Sequence, residues 1–102
     1  MKHNPAFLAL VESILPKVTE VTVEAYLANP KYTVIDVRED HEWHEGHLPN
    51  AQHLGKGIIE RDIETRFPDK SQPLALYCGG GYRSAMAAFN LQVMGYTEVV
   101  SV

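Results

Sequence analysis

Apolar positions along this chain recur at two spacings, and the switches between them mark out its elements. Phe7, Leu8, Val11, Ile14 and Leu15 return every three or four positions, which predicts a helix entered at Asn4 or Pro5 and stopped by Pro16. A short β-like run, VTEVT, leads into VEAYLANP, a helix with Thr22 as N-cap, Glu24 in its first turn and Asn29-Pro30 as its stop. YTVIDVRE carries β-branched apolar residues with little alternation, the pattern of a strand covered on both faces. DHEWHEGHLPNA reads as a brief helix closed by Gly46 and a turn at Pro49-Asn50, followed by the short strand AQHL. GKGIIERDIETRF is a helix that turns Ile58, Ile59, Ile63 and Phe67 toward the core. After the turn PDKSQP, LALYC is a second buried strand. RSAMAAFNLQVMG is the last helix, with Met86, Phe89 and Val93 on one stripe and Gly95 as C-cap, and TEVVSV is the last strand.

Strands thus alternate with helices, which predicts an α/β fold built on a mainly parallel sheet of about five strands. Residues 1–17 form an N-terminal helix at the domain edge, and residues 18–102 form the domain proper. Ligands of such sheets bind at the carboxyl ends of the strands. The residues following LALY and VID are therefore the first to inspect for chemistry.

Composition narrows the function. A chain of 102 residues, 45% hydrophobic and 22% charged, suits one compact domain. Its formal charge is −4 and its lysines and arginines form no cluster, which argues against a nucleic-acid or anionic-membrane surface. Any anion must be caught locally. No stretch is long enough to span a bilayer. The N-terminal apolar run is broken by Glu12 and Ser13 and has no cleavage pattern, so it reads as a surface helix rather than an export signal. Cys78 is the only cysteine, which rules out an intramolecular disulfide or a cysteine zinc cluster and suits a reducing, cytoplasmic setting.

Cys78 stands at the head of CGGGYRS. A thiol reacts as its thiolate, which a helix N-terminus or a fixed cation stabilises. The first turn of a helix leaves N–H groups unpaired, and Gly79, Gly80 and Gly81 let the backbone curl so that these groups form an anion-binding nest, positive φ costing a glycine nothing. Arg83 adds a permanent charge whose fork of donors can either tie down the loop or hold an oxyanion. Tyr82, inside the loop, can shape the mouth of the pocket. The protein tyrosine phosphatases place five residues between cysteine and arginine, a cradle with room for tetrahedral phosphate. Only four separate Cys78 from Arg83, and the tighter ring suits a smaller group on the cysteine, such as one extra sulfur.

In order and spacing, VIDVRE, EWHEGHLPNAQHL and LALYCGGGYRSAMAAFNLQVMGYTEV resemble the rhodanese, or thiosulfate sulfurtransferase, family across roughly residues 18 to 102. The resemblance implies a three-layer α/β/α fold and a sulfurtransferase that works by double displacement. The Cys78 thiolate takes the outer sulfur of a small anionic donor such as thiosulfate. The resulting persulfide then gives that sulfur to an external thiol or protein acceptor, or to cyanide in assays. It further implies that Gly79, Gly80, Gly81, Tyr82 and Arg83 line the substrate site, that Asp36 and Arg38 are chiefly structural, and that His47 fixes a turn by a hydrogen bond. No metal or cofactor is implied. His41, His44 and His47 with Glu42 and Glu45 invite a metal reading, but HEWHEGH lacks the zincin spacing. Trp43 reads as packing or rim.

Two departures from the family pattern stand out. Many thiosulfate-using members carry a basic side chain inside the loop, and Gly79 to Tyr82 supply none. Relatives also usually continue past the last strand, where this sequence stops at Val102. Two rival functions stay open: a phosphatase or arsenate reductase using the same kind of cysteine loop, and a non-catalytic rhodanese-like module that binds a partner protein.

Overall fold

A computed structural model describes residues 3–102. The elements run α1 (Pro5–Ile14), a 3-10 turn (Leu15–Lys17), β1 (Thr19–Glu20), α2 (Val23–Leu27), β2 (Thr33–Asp36), α3 (Asp40–Glu45), β3 (Gln52–His53), α4 (Ile59–Arg66), β4 (Leu74–Tyr77), α5 (Tyr82–Val93) and β5 (Val99–Ser101). Helical crossovers return the chain in the same direction each time, so all strand pairs are parallel, in the order β1-β5-β4-β2-β3. Every strand therefore presents its carboxyl end to one edge of the sheet. The register sets Asp36 opposite Tyr77, and Leu76 opposite Ser101, along that edge.

Period-two alternation sorts the strand residues between two covered faces. Ile35, Leu74, Leu76 and Val99 join Ile59, Ile63, Ala87, Ala88 and Leu91 in one hydrophobic cluster beneath α4 and α5. Val34, Ala75 and Val100 point the other way and are buried as well. A sheet covered on both faces explains why β2 and β4 lack an apolar–polar alternation. By the same parity Ser101 lies on the α5 side, whereas Asp36 and Tyr77 lie on the opposite one.

Local signals set the element ends. Thr22 caps α2, its Oγ1 accepting the Ala25 N–H at 3.1 Å. Glu39 and Glu42 form a reciprocal capping box around the start of α3. Gly95, with φ 104°, turns the chain out of α5. Pro16 falls inside the 3-10 turn, two residues after α1 ends at Ile14, so the helix tightens before it stops.

Two side chains expected in the core lie outside it. Ile58 is 38% exposed, because α4 begins at Ile59 and buries the i, i+4, i+8 row Ile59, Ile63 and Phe67. Val93 is 72% exposed. The buried face of α5 is Ser84, Ala85, Ala87, Ala88 and Leu91, whose small side chains bring the helix close to β4 and β5. Met86 is buried beside that face, and Phe89 is half-buried beneath Lys17, so the expected stripe is a flank that runs out at Val93.

Candidate functional site

Cys78 immediately follows β4, so the strand delivers its thiol to the carboxyl edge of the sheet. Three residues later Gly81 adopts φ 86°, a left-handed conformation that starts α5 at Tyr82, one residue earlier than expected. Of the three loop glycines only Gly81 takes positive φ. A Cβ on Gly80 would meet nothing, and one on Gly79 would make only an ordinary 3.6 Å contact with Arg83 Nη2. The run of three is thus needed for its backbone geometry at one position.

The curled loop turns donors onto the half-buried sulfur. Gly81 N–H donates to Cys78 Sγ at 3.1 Å and Ser84 N–H at 3.4 Å, while Ser84 Oγ lies 3.6 Å away. Burial pushes the thiol up, but the bonds from the Ser84 hydroxyl and from the Ser84, Gly80 and Gly81 backbone outweigh it and hold Cys78 below its ordinary value. Behind Ser84, the Ser101 hydroxyl sits at 2.7 Å on the end of β5, and both serines are fully buried. A hydroxyl has one proton and can accept others. Ser101 can therefore donate to Ser84 while Ser84 turns its own proton to a thiolate.

Arg83 directs its fork at α3 (Asp40–Glu45). Nη1 lies 2.7 Å from Glu42 Oε1 and Nη2 3.1 Å from Oε2. Glu42 also accepts the Glu39 N–H at 3.1 Å, so one carboxylate caps α3 and clasps the cysteine loop. Its hydrogen bond to Arg83 outweighs partial burial and holds its carboxyl down at about 2. The guanidinium is correspondingly raised, through Glu42 first and after burial's opposing effect also through Cys78.

Asp36 anchors a second network on the other face. It is fully buried, and its carboxylate accepts the Arg38 N–H at 2.8 Å, Arg38 Nη2 at 2.8 Å and the Tyr77 hydroxyl at 2.8 Å. Burial opposes its charge, but these bonds win and its carboxyl is lowered. Arg38 Nη2 continues to the Gly46 carbonyl at 2.6 Å, and the Tyr77 oxygen accepts the Leu48 N–H at 3.0 Å. The network thereby fixes the segment after α3 beside the end of β4. His47 lies in that segment. Its Nδ1 is 3.1 Å from the Trp43 carbonyl, and its ring stacks on Trp43 at 3.4 Å, with His53 stacked near Trp43 at 4.9 Å.

The N-terminal helix reaches the site as well. Tyr82 packs against His3 and Phe7, with ring centroids 5.1 and 6.1 Å away. Two clefts meet at Cys78. One, of about 440 Å³, runs between His3, Phe7, Tyr82 and the Arg83–Glu42 pair. The other, of about 510 Å³, runs between Val23, Leu27, Leu48 and Tyr77.

The expected site residues thus fall into two groups. Gly79, Gly80, Gly81, Tyr82 and Arg83 surround Cys78, whereas Asp36, Arg38 and His47 build the adjoining edge. Sequence reasoning did not assign Ser84, Ser101 or Tyr77, and it weighed Glu42 only as a metal ligand. Ser84 had a readable signal, since it follows Arg83 in the first turn of α5. Glu42 had half of one, the Glu-x-x-Glu of its capping box. Ser101 had none, because strand parity and a helix crossing 17 residues away bring it to Ser84.

Comparison with known proteins matches the rhodanese-like domain model over residues 19–102. The chain is similar to the thiosulfate sulfurtransferase PspE of Escherichia coli, 34% identical over 64% of this chain, and it spans 62% of that relative's length. Among solved structures it resembles a rhodanese with anions from E. coli, with a TM-score of 0.67 and 31% identity over 70% of this chain and 84% of that one. A Rhodopseudomonas palustris structure, described as a protein of unknown function and "Possible Tyrosine Phosphatase", shares the fold at TM-score 0.80 over 99% of this chain and 86% of that one, with 21% identity. By the match over residues 19–102, this chain belongs to the rhodanese-like domain family.

Proposed function

We propose that the protein is a sulfurtransferase that carries sulfane sulfur on Cys78 as a persulfide, acting in a reducing cytoplasm. The observation that carries this reading is the pair of backbone donors on Sγ, from Gly81 N–H and Ser84 N–H, with the Ser84 hydroxyl 3.6 Å away and able to donate once the sulfur is a thiolate. In the first step the thiolate attacks the outer sulfur of a donor such as thiosulfate. The new S–S bond forms as the old one breaks, and sulfite leaves with its bonding pair. The product persulfide is itself an anion, so the same donors stabilise it. In the second step a thiol or cyanide attacks the terminal sulfur and returns Cys78 to the thiolate. Sulfur moves by two-electron displacement throughout, so the reaction needs no redox cofactor or metal. Storing the sulfur covalently splits one transfer into two easier ones.

The four-residue interval from Cys78 to Arg83 favours this cargo over phosphate. In this reading Arg83 closes the loop through Glu42 and borders the site, Gly79 to Tyr82 form its wall, and Asp36, Arg38 and His47 hold the neighbouring segment in place. With one cysteine in the chain, the persulfide cannot discharge as an internal disulfide, so an external thiol or protein must accept the sulfur. Intact-mass measurement after thiosulfate treatment tests the proposal. The wild type should gain one sulfur atom that cyanide removes, and Cys78→Ser should gain none. Hydrolysis of an aryl phosphate with no sulfur adduct from any donor would replace the reading with a phosphatase. Full biological function in Cys78→Ser would replace it with a non-catalytic binding module.

A further inference from the structure

Six large hydrophobic side chains are substantially exposed among the described residues, and three of them, Val23, Leu27 and Leu48, line the single 510 Å³ cleft beside Cys78. Val23 and Leu27 are one helical turn apart on α2 (Val23–Leu27), 54% and 69% exposed, and face Leu48 across the opening. Scattered surface hydrophobics need no explanation, but a concave apolar wall ending on a nucleophile does. Its volume is that of a small-molecule site rather than of a flat protein interface.

The charges point the same way. No described lysine or arginine lines this cleft, and its one charged side chain is Glu20. Among the described residues the nearby cations are committed: Arg83 to Glu42, and Arg38 to Asp36 and the Gly46 carbonyl. The loop's N–H groups can hold the single negative charge of the thiolate or persulfide. A dianion entering here would meet Glu20 and apolar side chains, with no free cation among the described residues to replace its hydration.

Resting on the sulfurtransferase reading, we propose that this cleft selects an organic sulfur donor, a singly charged or neutral sulfane-sulfur compound with an apolar body, in preference to inorganic thiosulfate. The body lies along Val23, Leu27 and Leu48 while its outer sulfur is presented to Cys78. With an organic thiosulfonate, the thiolate bonds to the outer sulfur, the sulfur–sulfonyl bond breaks, and the sulfinate leaves with the electron pair. With an organic hydropersulfide, the leaving group is the thiolate R–S⁻, and the proton remains on the new persulfide until solvent takes it.

Three probes separate charge from apolar contact: thiosulfate, methanethiosulfonate and benzenethiosulfonate. The last two carry the same charge and the same reacting bond. Partial burial of the phenyl ring should give benzenethiosulfonate about a tenfold higher kcat/KM than methanethiosulfonate, with thiosulfate the poorest of the three. In a Val23→Thr/Leu27→Gln double variant, whose replaced side chains are largely exposed, the ratio between the two thiosulfonates should fall to about twofold. The ratio cancels any general loss of activity. Glu20→Lys should shift preference toward thiosulfate by about threefold. Equal wild-type kcat/KM for the two thiosulfonates, or a ratio unchanged in the double variant, overturns the proposal and leaves the apolar wall to a protein acceptor. Intact mass distinguishes this from failure of the sulfurtransferase reading itself, which would show as no Cys78 sulfur adduct with any of the three probes.

Discussion

Ser84→Ala tests whether hydroxyl and backbone donors, rather than the arginine, set the reactivity of Cys78. The substitution deletes the Oγ that lies 3.6 Å from Sγ but leaves the amide donors of Gly81 at 3.1 Å and Ser84 at 3.4 Å in place. A hydrogen bond to a charged acceptor contributes about 1.5–3 kcal/mol, and this long contact to sulfur belongs at the lower end. One pKa unit corresponds to about 1.36 kcal/mol, so the thiol should rise by about one unit. The midpoint of a pH–rate profile for alkylation by iodoacetamide reads that shift directly. Stability should fall too, because Ser101, 1% exposed, loses its 2.7 Å partner. An orphaned buried hydroxyl costs about 1–3 kcal/mol, measurable by urea denaturation. The double variant Ser84→Ala/Ser101→Ala separates the effects. Removing both hydroxyls abolishes the orphan, so stability should largely return while the alkylation midpoint stays high. An alkylation profile in Ser84→Ala superimposable on the wild type would refute the reasoning and return the field at sulfur to the amides alone.

Two further expectations follow from the loop and its clasp. Gly81→Ala forces a Cβ onto φ 86°, a left-handed conformation that costs about 1–2 kcal/mol, whereas Gly80→Ala, with nothing near its Cβ, should stay within about 0.5 kcal/mol of wild type; equal urea midpoints for the two variants would contradict the assignment. Glu42 is held at about 2 in the folded protein against about 4.3 in a free chain, so its pairing with Arg83 stabilises the fold fully above the higher value and is lost as pH falls toward the lower. Glu42→Gln should therefore flatten the loss of stability between about pH 4.5 and pH 2, and an acid-unfolding curve with the wild-type slope would count against the pairing.

What the sequence disclosed and what it hid have separate physical causes. Apolar spacing exposed the order of elements, because burial on two sheet faces leaves long β-branched runs that turns and caps interrupt. Thr22 and the Gly46 and Gly95 stops were readable for the same reason, each being local to its own helix end. Ile58 and Val93 were misplaced because periodicity does not say which face of a helix meets the sheet. In α5 the buried face is carried by three alanines and a serine beside the single large residue Leu91, a weak hydrophobic signal, while the bulkier stripe beside it is a flank.

The site was legible where chemistry is local and hidden where it depends on parity and register. CGGGYR sets a candidate nucleophile and its cradle within six residues. Its electrostatics, however, are set by partners 17 and 41 positions away, Ser101 behind Ser84 and Glu42 before Arg83. Those partners change the meaning of the motif. An arginine alone beside the thiol would recruit any small anion; an arginine already clasped by a carboxylate locks the loop and, on the proposed reading, leaves recognition to amides, a hydroxyl pair and the apolar wall from α2. On the sulfurtransferase reading, the same clasp explains how the loop could lack an internal basic residue and still stabilise a persulfide. A persulfide's single charge, spread over two sulfurs, needs several short-range dipoles already in place, and rigidity of the loop is what keeps them there.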